Sequence, residues 1–202
     1  PFPYTTLFRS RDWNRHSRLE GAHAFLGASQ HSWMNYDDDK LVQSYYSYLA
    51  SERGTKLHAI AAELIENRIK LPQTNATLNR YVNDAIGFRM KPEQLLYYSD
   101  NCFGTADTIA YSEEDHFLRI HDLKTGATKV TNKQGNIPQL EIYAALFFLE
   151  YDLDVNDTDI ELRIYQNDDI IVENPDIEII APIMDKIVAF DKIIETIKRE
   201  EQ

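Results

Sequence analysis

An α/β fold around a small mixed sheet is predicted by three features of the chain. Apolar residues recur at helical spacing before residue 87, short strand-like runs follow from residue 94 to 123, and a proline-led helix separates these from two later strands. The order is helices, meander, helix, strands, helix, without the regular alternation of a doubly wound sheet.

The elements follow from local signals. Asp37 and Asp38 can cap a helix that runs to about Ala50, and a second helix is expected to open near Thr55, with Leu57, Ile60, Ala61, Leu64 and Ile65 forming its core-facing stripe. His58 falls at the edge of that stripe. A third helix over 76–86 carries Leu78, Val82 and Ile86 and stops at Gly87, a suitable C-terminal residue. Strands are then expected over 94–98, 102–111 and 117–123, the last two joined by the polar turn Ser112-Glu-Glu-Asp-His116. Gly104 marks a place where a strand bends or another backbone approaches closely. Pro138 opens a helix extending to about Tyr151, because proline is tolerated in a first helical turn. Strands over 160–166 and 170–173 precede an amphipathic helix over 177–199.

The 202 residues are most simply one domain, long enough to bury a core without disulfides or structural metals. Residues 3–10, PYTTLFRS, match the in-frame translation of a common sequencing-library adapter, and Phe2 fits one codon upstream. Residues 1–10 are therefore expected to be an assembly artefact, leaving one domain over 11–202. No apolar run approaches the roughly 20 residues needed to span a bilayer. Cys102 is the only cysteine, which excludes an internal disulfide, a zinc ribbon and a four-cysteine iron-sulfur cluster, and fits a reducing cytoplasm. The net charge of −12 argues against a broadly basic nucleic-acid-coating protein, while leaving room for an enzyme that meets a few phosphates through a metal and local cations.

The chemistry-bearing signal is Gly104-Thr-Ala-Asp107 followed by Ile120-His-Asp122-Leu-Lys124-Thr-Gly126. On adjacent antiparallel strands Asp107 and Asp122 can bridge one divalent cation, and Lys124 projects from the same face as Asp122 because side chains alternate. An acid two residues before a lysine arises by chance roughly once per 200 residues, and Asp38-Asp39-Lys40 is such a match, read here as helix capping. Asp122-x-Lys124 differs because it ends an apolar strand, where a charged pair on a partly buried surface is costly unless compensated. The plainer reading of it is a surface ion pair at a strand end. Asp107 weighs against that, since a lone aspartate has no packing role in Gly-Thr-Ala-Asp-Thr-Ile-Ala. Magnesium suits such a site, being hard, oxygen-seeking and content with one or two carboxylates plus water and phosphate.

Four motifs in this order, Gly54-Thr-Lys-Leu-His58, Gly104-Thr-Ala-Asp107, Asp122-Leu-Lys124-Thr-Gly126 and Gln139-Leu-Glu-Ile-Tyr143, resemble the PD-(D/E)XK nuclease superfamily, in particular its branch of lambda-type phage exonucleases and RecB-like nuclease domains. The resemblance spans about 22–150 and implies a restriction-endonuclease-like core. It makes His58, Asp107 and Asp122 metal ligands, with the Leu123 backbone carbonyl as a candidate fourth, and Lys124 the catalytic lysine. Gln139 and Tyr143, four apart on one helix face, resemble the pair that borders the active site. Gly27-Ala-Ser29-Gln-His31 loosely resembles the serine-bearing start of the core, and Ser29 contacts a phosphate or caps the following turn. Alone, His58 would read as an ordinary surface histidine. Glu63, about 140° around the helix from His58, stays outside the site. Tyr97 and Tyr98 could stack on bases, but they face opposite sides of a strand and at least one belongs to the core.

The resemblance implies a Mg²⁺-dependent deoxyribonuclease, with Mn²⁺ able to substitute; the single cysteine leaves no iron-sulfur cluster. It implies an exonuclease of phage or prophage recombination or replication, working on DNA in the bacterial host cytoplasm. A phage single-strand annealing protein and a second copy of the chain are further candidate partners, and a membrane is not. The alternatives are a structure-selective or nicking endonuclease on the same fold and a catalytically silent DNA-binding subunit. Deleting residues 1–10 is expected to leave the melting temperature unchanged; a large drop in a thermal melt would show that the segment packs.

Overall fold

The computed structural model describes residues 17–19, 23–126 and 137–201, so the expected artefact at 1–10 lies outside the described residues. Two compact units divide the chain, Pro1–Tyr48 and Leu49–Gln202.

In the first unit, a 3-10 turn over His31–Asn35 follows Gln30, which makes no side-chain cap hydrogen bond. Ser29, expected to cap or to meet a phosphate, is exposed there. The Trp33 indole N–H donates to the Gly27 carbonyl at 2.9 Å, and Phe25 meets Tyr45 and Tyr48 at ring-centroid distances of 5.1 and 5.3 Å. Asp37 Oδ1 accepts from the Lys40 N–H at 2.7 Å, which is the expected cap at the start of helix α1 (Asp38–Glu66).

Helix α1 corrects one expectation, because it runs unbroken through 51–54 instead of stopping near Ala50 and restarting at Thr55. Nothing in Ser-Glu-Arg-Gly forces a break. Glycine inside a helix costs about 1 kcal/mol against alanine, and here it has a packing reason: a Cβ on Gly54 would stand 2.6 Å from Thr125 Oγ1.

The remaining elements of the second unit fall where periodicity puts them, within a few residues. They are α2 (Thr77–Gly87), β1 (Lys91–Ser99), β2 (Cys102–Ser112), β3 (Phe117–Leu123), α3 (Ile137–Tyr151), β4 (Asp159–Gln166), β5 (Asp169–Glu173) and α4 (Ile177–Glu200). The five strands form one mixed sheet in the order β1-β2-β3-β4-β5. Every neighbouring pair is antiparallel except β3 and β4, which are parallel because the chain crosses over through α3 between them. Two cores result. The larger joins Leu118, Ile120, Leu162 and Ile164 of the sheet to Leu140, Ala144 and Phe148 of α3 and Ile180 of α4. The smaller joins Leu123 and Tyr165 to Ala61 and Ile65 of α1 and to Tyr81, Val82 and Ala85 of α2. Successive residues of β3 thus serve opposite cores, as strand alternation requires.

The β4–β5 connection is a two-residue loop, Asn167-Asp168, with φ of 51° and 59°, the pattern of a type I′ hairpin turn. Its Asp168 reaches the start of α2, where Ala76 offers no side-chain cap. Asp168 Oδ1 accepts from the Thr77 N–H at 2.8 Å and from its hydroxyl at 3.0 Å. Among the described residues no helix is long and apolar enough to cross a membrane.

The Gly54 contact gives a test. Gly54→Ala should gain helix propensity yet lower the urea midpoint through the clash with Thr125, and Thr125→Ala should restore it. A simple gain of stability in Gly54→Ala alone would show that the contact relaxes at no cost.

Candidate metal centre

The antiparallel registers align three acids. In the β1–β2 pairing, Pro92 lies opposite Thr108 and Gln94 opposite Ala106, so Glu93 stands level with Asp107. The β2–β3 pairing ends at Thr108 opposite His121, and one step further the same register brings Asp107 level with Asp122. Glu93, Asp107 and Asp122 therefore form one rung across three strands. Glu93 has φ of 48°, an uncommon backbone conformation for a residue other than glycine, of the kind that clusters at functional sites.

Asp122 is the buried member of the rung, only 3 % exposed. Its Oδ1 accepts from Lys124 Nζ at 2.9 Å, while its Oδ2 is buried with no hydrogen-bond partner among the described residues. Burial and then the neighbouring Asp107 carboxylate push the Asp122 pKa up to about 6, against the opposing pull of Lys124. An unpartnered buried carboxylate oxygen beside a second carboxylate is a costly arrangement without a cation.

Asp107 is half-buried and tied to both neighbouring layers. Its Oδ2 accepts from the Leu123 N–H at 2.9 Å and meets His58 Nδ1 at 3.3 Å. The hydrogen bond to Asp107 raises the His58 pKa, outweighing burial. His58, Glu93 and Asp107 each offer a ligand atom within 4.8 Å of the others. Burial and the Asp107 charge raise the Glu93 carboxyl as well.

On the other side of Asp122, Lys124 Nζ also donates to Gln139 Oε1 at 3.3 Å, and Gln139 Nε2 donates to Tyr143 Oη at 3.0 Å. The Tyr143 ring leans on β2: a Cβ at Gly104 would stand 2.8 Å from Tyr143 Cε1. Gly104 thus accommodates a side chain, where the sequence suggested a strand bend or a neighbouring backbone.

All seven sequence-derived residues meet in this region, though they do not form a single ligand shell. His58 and Asp107 group with Glu93; Asp122, turned by Lys124, stands beside that group, close enough for Asp107 to raise its pKa. Leu123 contributes its N–H to Asp107 and its side chain to the smaller core. Gln139 and Tyr143 lie on the face of α3 turned toward Lys124. The sequence reading missed Glu93 because it began the first strand at Gln94. A plain two-residue hairpin at Asp100-Asn101 would set Glu93 opposite Thr108; the register shift between Tyr97 and Ser99 moves it opposite Asp107, and nothing in the sequence announces that shift.

Over residues 88–179 the chain matches the model of a family described as "Protein of unknown function (DUF2800)". That span contains the whole sheet with Glu93, Asp107, Asp122, Lys124, Gln139 and Tyr143, and leaves His58 outside it. Neither the curated proteins nor the solved structures give a match.

The raised Asp122 pKa fixes a sign. A carboxyl whose folded pKa exceeds its unfolded value favours the folded state at low pH and loses that contribution as pH rises from about 4 through about 6. Asparagine mimics the neutral carboxyl, so Asp122→Asn should stabilise the metal-free protein at pH 7 by on the order of 1–3 kcal/mol and remove this part of the pH dependence. Equal urea midpoints at pH 7 for both proteins would contradict it.

Proposed function

We propose that the chain is a Mg²⁺-dependent DNA nuclease that hydrolyses phosphodiester bonds, acting as an exonuclease in phage or prophage recombination. The observation that carries this reading is the Asp122 carboxylate: buried, lacking a partner for Oδ2, adjacent to Asp107 and bonded to Lys124. The resemblance of the four motifs to PD-(D/E)XK nucleases supports the choice of reaction, and the shared rung of acids supports the choice of ion.

The residues present fit a hard divalent cation. Asp107 and Asp122 supply oxygen ligands with negative charge, and His58 and Glu93 extend the donor set on the α1 side. Such an ion, when bound, lowers the pKa of a coordinated water and offsets charge on a phosphate. Lys124 holds one oxygen of Asp122 in place, and the other is buried without a partner among the described residues. Its ammonium also offers protons and positive charge where a phosphate oxygen would become more negative. Gln139 fixes Lys124 from α3, and Tyr143 fixes Gln139. His58 must be neutral to donate an electron pair, so protons compete with the ion there as they do at Asp122.

Digestion of end-labelled linear DNA and of closed circular DNA, with Mg²⁺ and with chelator, tests the reading. The expected result is Mg²⁺-dependent loss of the linear substrate with the circle intact. Cutting of the circle would favour an endonuclease, and no cleavage of either would remove the nuclease reading. Lys124→Ala should lower the cleavage rate by orders of magnitude, as loss of one member of a catalytic unit does, with an unchanged far-ultraviolet circular dichroism spectrum. Near-native turnover by that variant would exclude Lys124 from the chemistry.

A further inference from the structure

We propose that the bare face of the β1–β2 hairpin, centred on Tyr97 and Phe103, is a stacking platform for an unpaired nucleobase. The base belongs to the strand whose phosphate lies at the acid rung, so the platform rests on the nuclease reading and gives it a substrate class, a strand with an unpaired end.

The hairpin outruns the rest of the sheet. Pairing of β2 with β3 stops at Thr108, whereas pairing with β1 continues to Ser99 opposite Cys102. Residues 94–105 therefore form a two-stranded arm extending beyond Asp107. One face of the arm is covered: Leu96, Tyr98 and Cys102 join the larger core, Tyr143 lies over Gly104, and Asn101 Nδ2 donates to Asp191 and Glu195 of α4 at 2.8 and 2.7 Å. The opposite face carries Leu95, Tyr97 and Phe103, which are 48, 42 and 58 % exposed. Alternation along β1 puts Glu93, Leu95 and Tyr97 on one side, and the register sets Thr105 opposite Leu95 and Phe103 opposite Tyr97. Glu93 and Asp107 therefore share a face with the aromatic pair.

The pair is prepared for a flat ligand. The Tyr97 and Phe103 rings are stacked, with centroids 6.4 Å apart and planes 24° from parallel. Tyr97 Oη donates to Asp100 Oδ1 at 2.9 Å, which holds that ring in place, and the covered face stiffens the arm beneath it. Four residues separate Phe103 from Asp107, about 13 Å along a strand. That is a few nucleotide steps, given about 3.4 Å per phosphate along a stacked strand. Duplex bases hide their faces against one another, so an exposed ring beside the site selects a base that has left the stack. Aromatic stacking of this kind tolerates any base, because every base has a π-face.

The test uses the full chain, Ca²⁺ in place of Mg²⁺ and fluorescence anisotropy of a labelled oligothymidylate of about ten nucleotides, within the span that single-strand sites occupy. Tyr97→Ala/Phe103→Ala is expected to weaken binding by roughly 5- to 100-fold without shifting the melting temperature, since both side chains are exposed. Phe103→Trp, which keeps a ring, is expected to bind at least as tightly as the parent. Affinity of the double variant within twofold of the parent, or no oligothymidylate binding by the parent, overturns the platform. Mg²⁺-dependent cleavage is scored separately on the same proteins: its absence sinks the nuclease reading, and the affinity ratio alone decides the platform.

Discussion

Two carboxylates on neighbouring strands repel each other, and the placement of Asp122 next to Asp107 is the constraint around which the second unit is arranged. One of them is almost fully buried, and its burial first, then the neighbouring Asp107 charge, raise the Asp122 pKa to about 6. Lys124, the Leu123 N–H and His58 offset part of it. Each comes from a different local structure: the continuation of the same strand, the backbone of β3, and helix α1. The arrangement keeps one oxygen of Asp122 without a protein partner, which is the feature a bound cation would complete.

The sheet supplies the geometry at little conformational cost. Strand register alone lines up Glu93, Asp107 and Asp122, and alternation alone puts Lys124 on the Asp122 side. The helices then act as buttresses. Helix α3 is held against β2 by the Tyr143 ring over Gly104 and carries Gln139 toward Lys124; helix α1 approaches the segment after β3 closely enough that a Cβ at position 54 would meet the Thr125 hydroxyl. Two of the three glycines in the motif-bearing segments, Gly104 and Gly54, meet a side chain closely, Tyr143 in one case and Thr125 in the other; Gly126 has open space around it.

Much of this was legible in the sequence. Periodicity located every strand of the sheet, because half-buried strands alternate and their turns carry polar residues. The acid-x-lysine pattern at the end of an apolar strand pointed to the buried pair, since charge in that setting needs a reason. What escaped detection depended on tertiary contacts. The continuity of α1 through Gly54 could not be read from propensity, because glycine argues for a break and its packing against Thr125 is visible only in three dimensions. Glu93 was lost because the strand was expected to start at Gln94 and starts at Lys91, and because a register shift near the turn sets its partner. Phe103 drew no attention because its exposure depends on α3 and α4 covering the other face of the hairpin.

The cap on α2 links parts of the chain that are made far apart in time. Thr77 opens the helix, yet the carboxylate that satisfies its N–H is on Asp168, in the turn between the last two strands. On a ribosome the α2 segment emerges long before that turn exists. Its first turn then has no side-chain cap of its own, and the helix gains its full set of hydrogen bonds only after β4 and β5 have paired. Final docking of α2 is thereby tied to completion of the C-terminal hairpin, so a chain halted before residue 168 would present this helix frayed at its start.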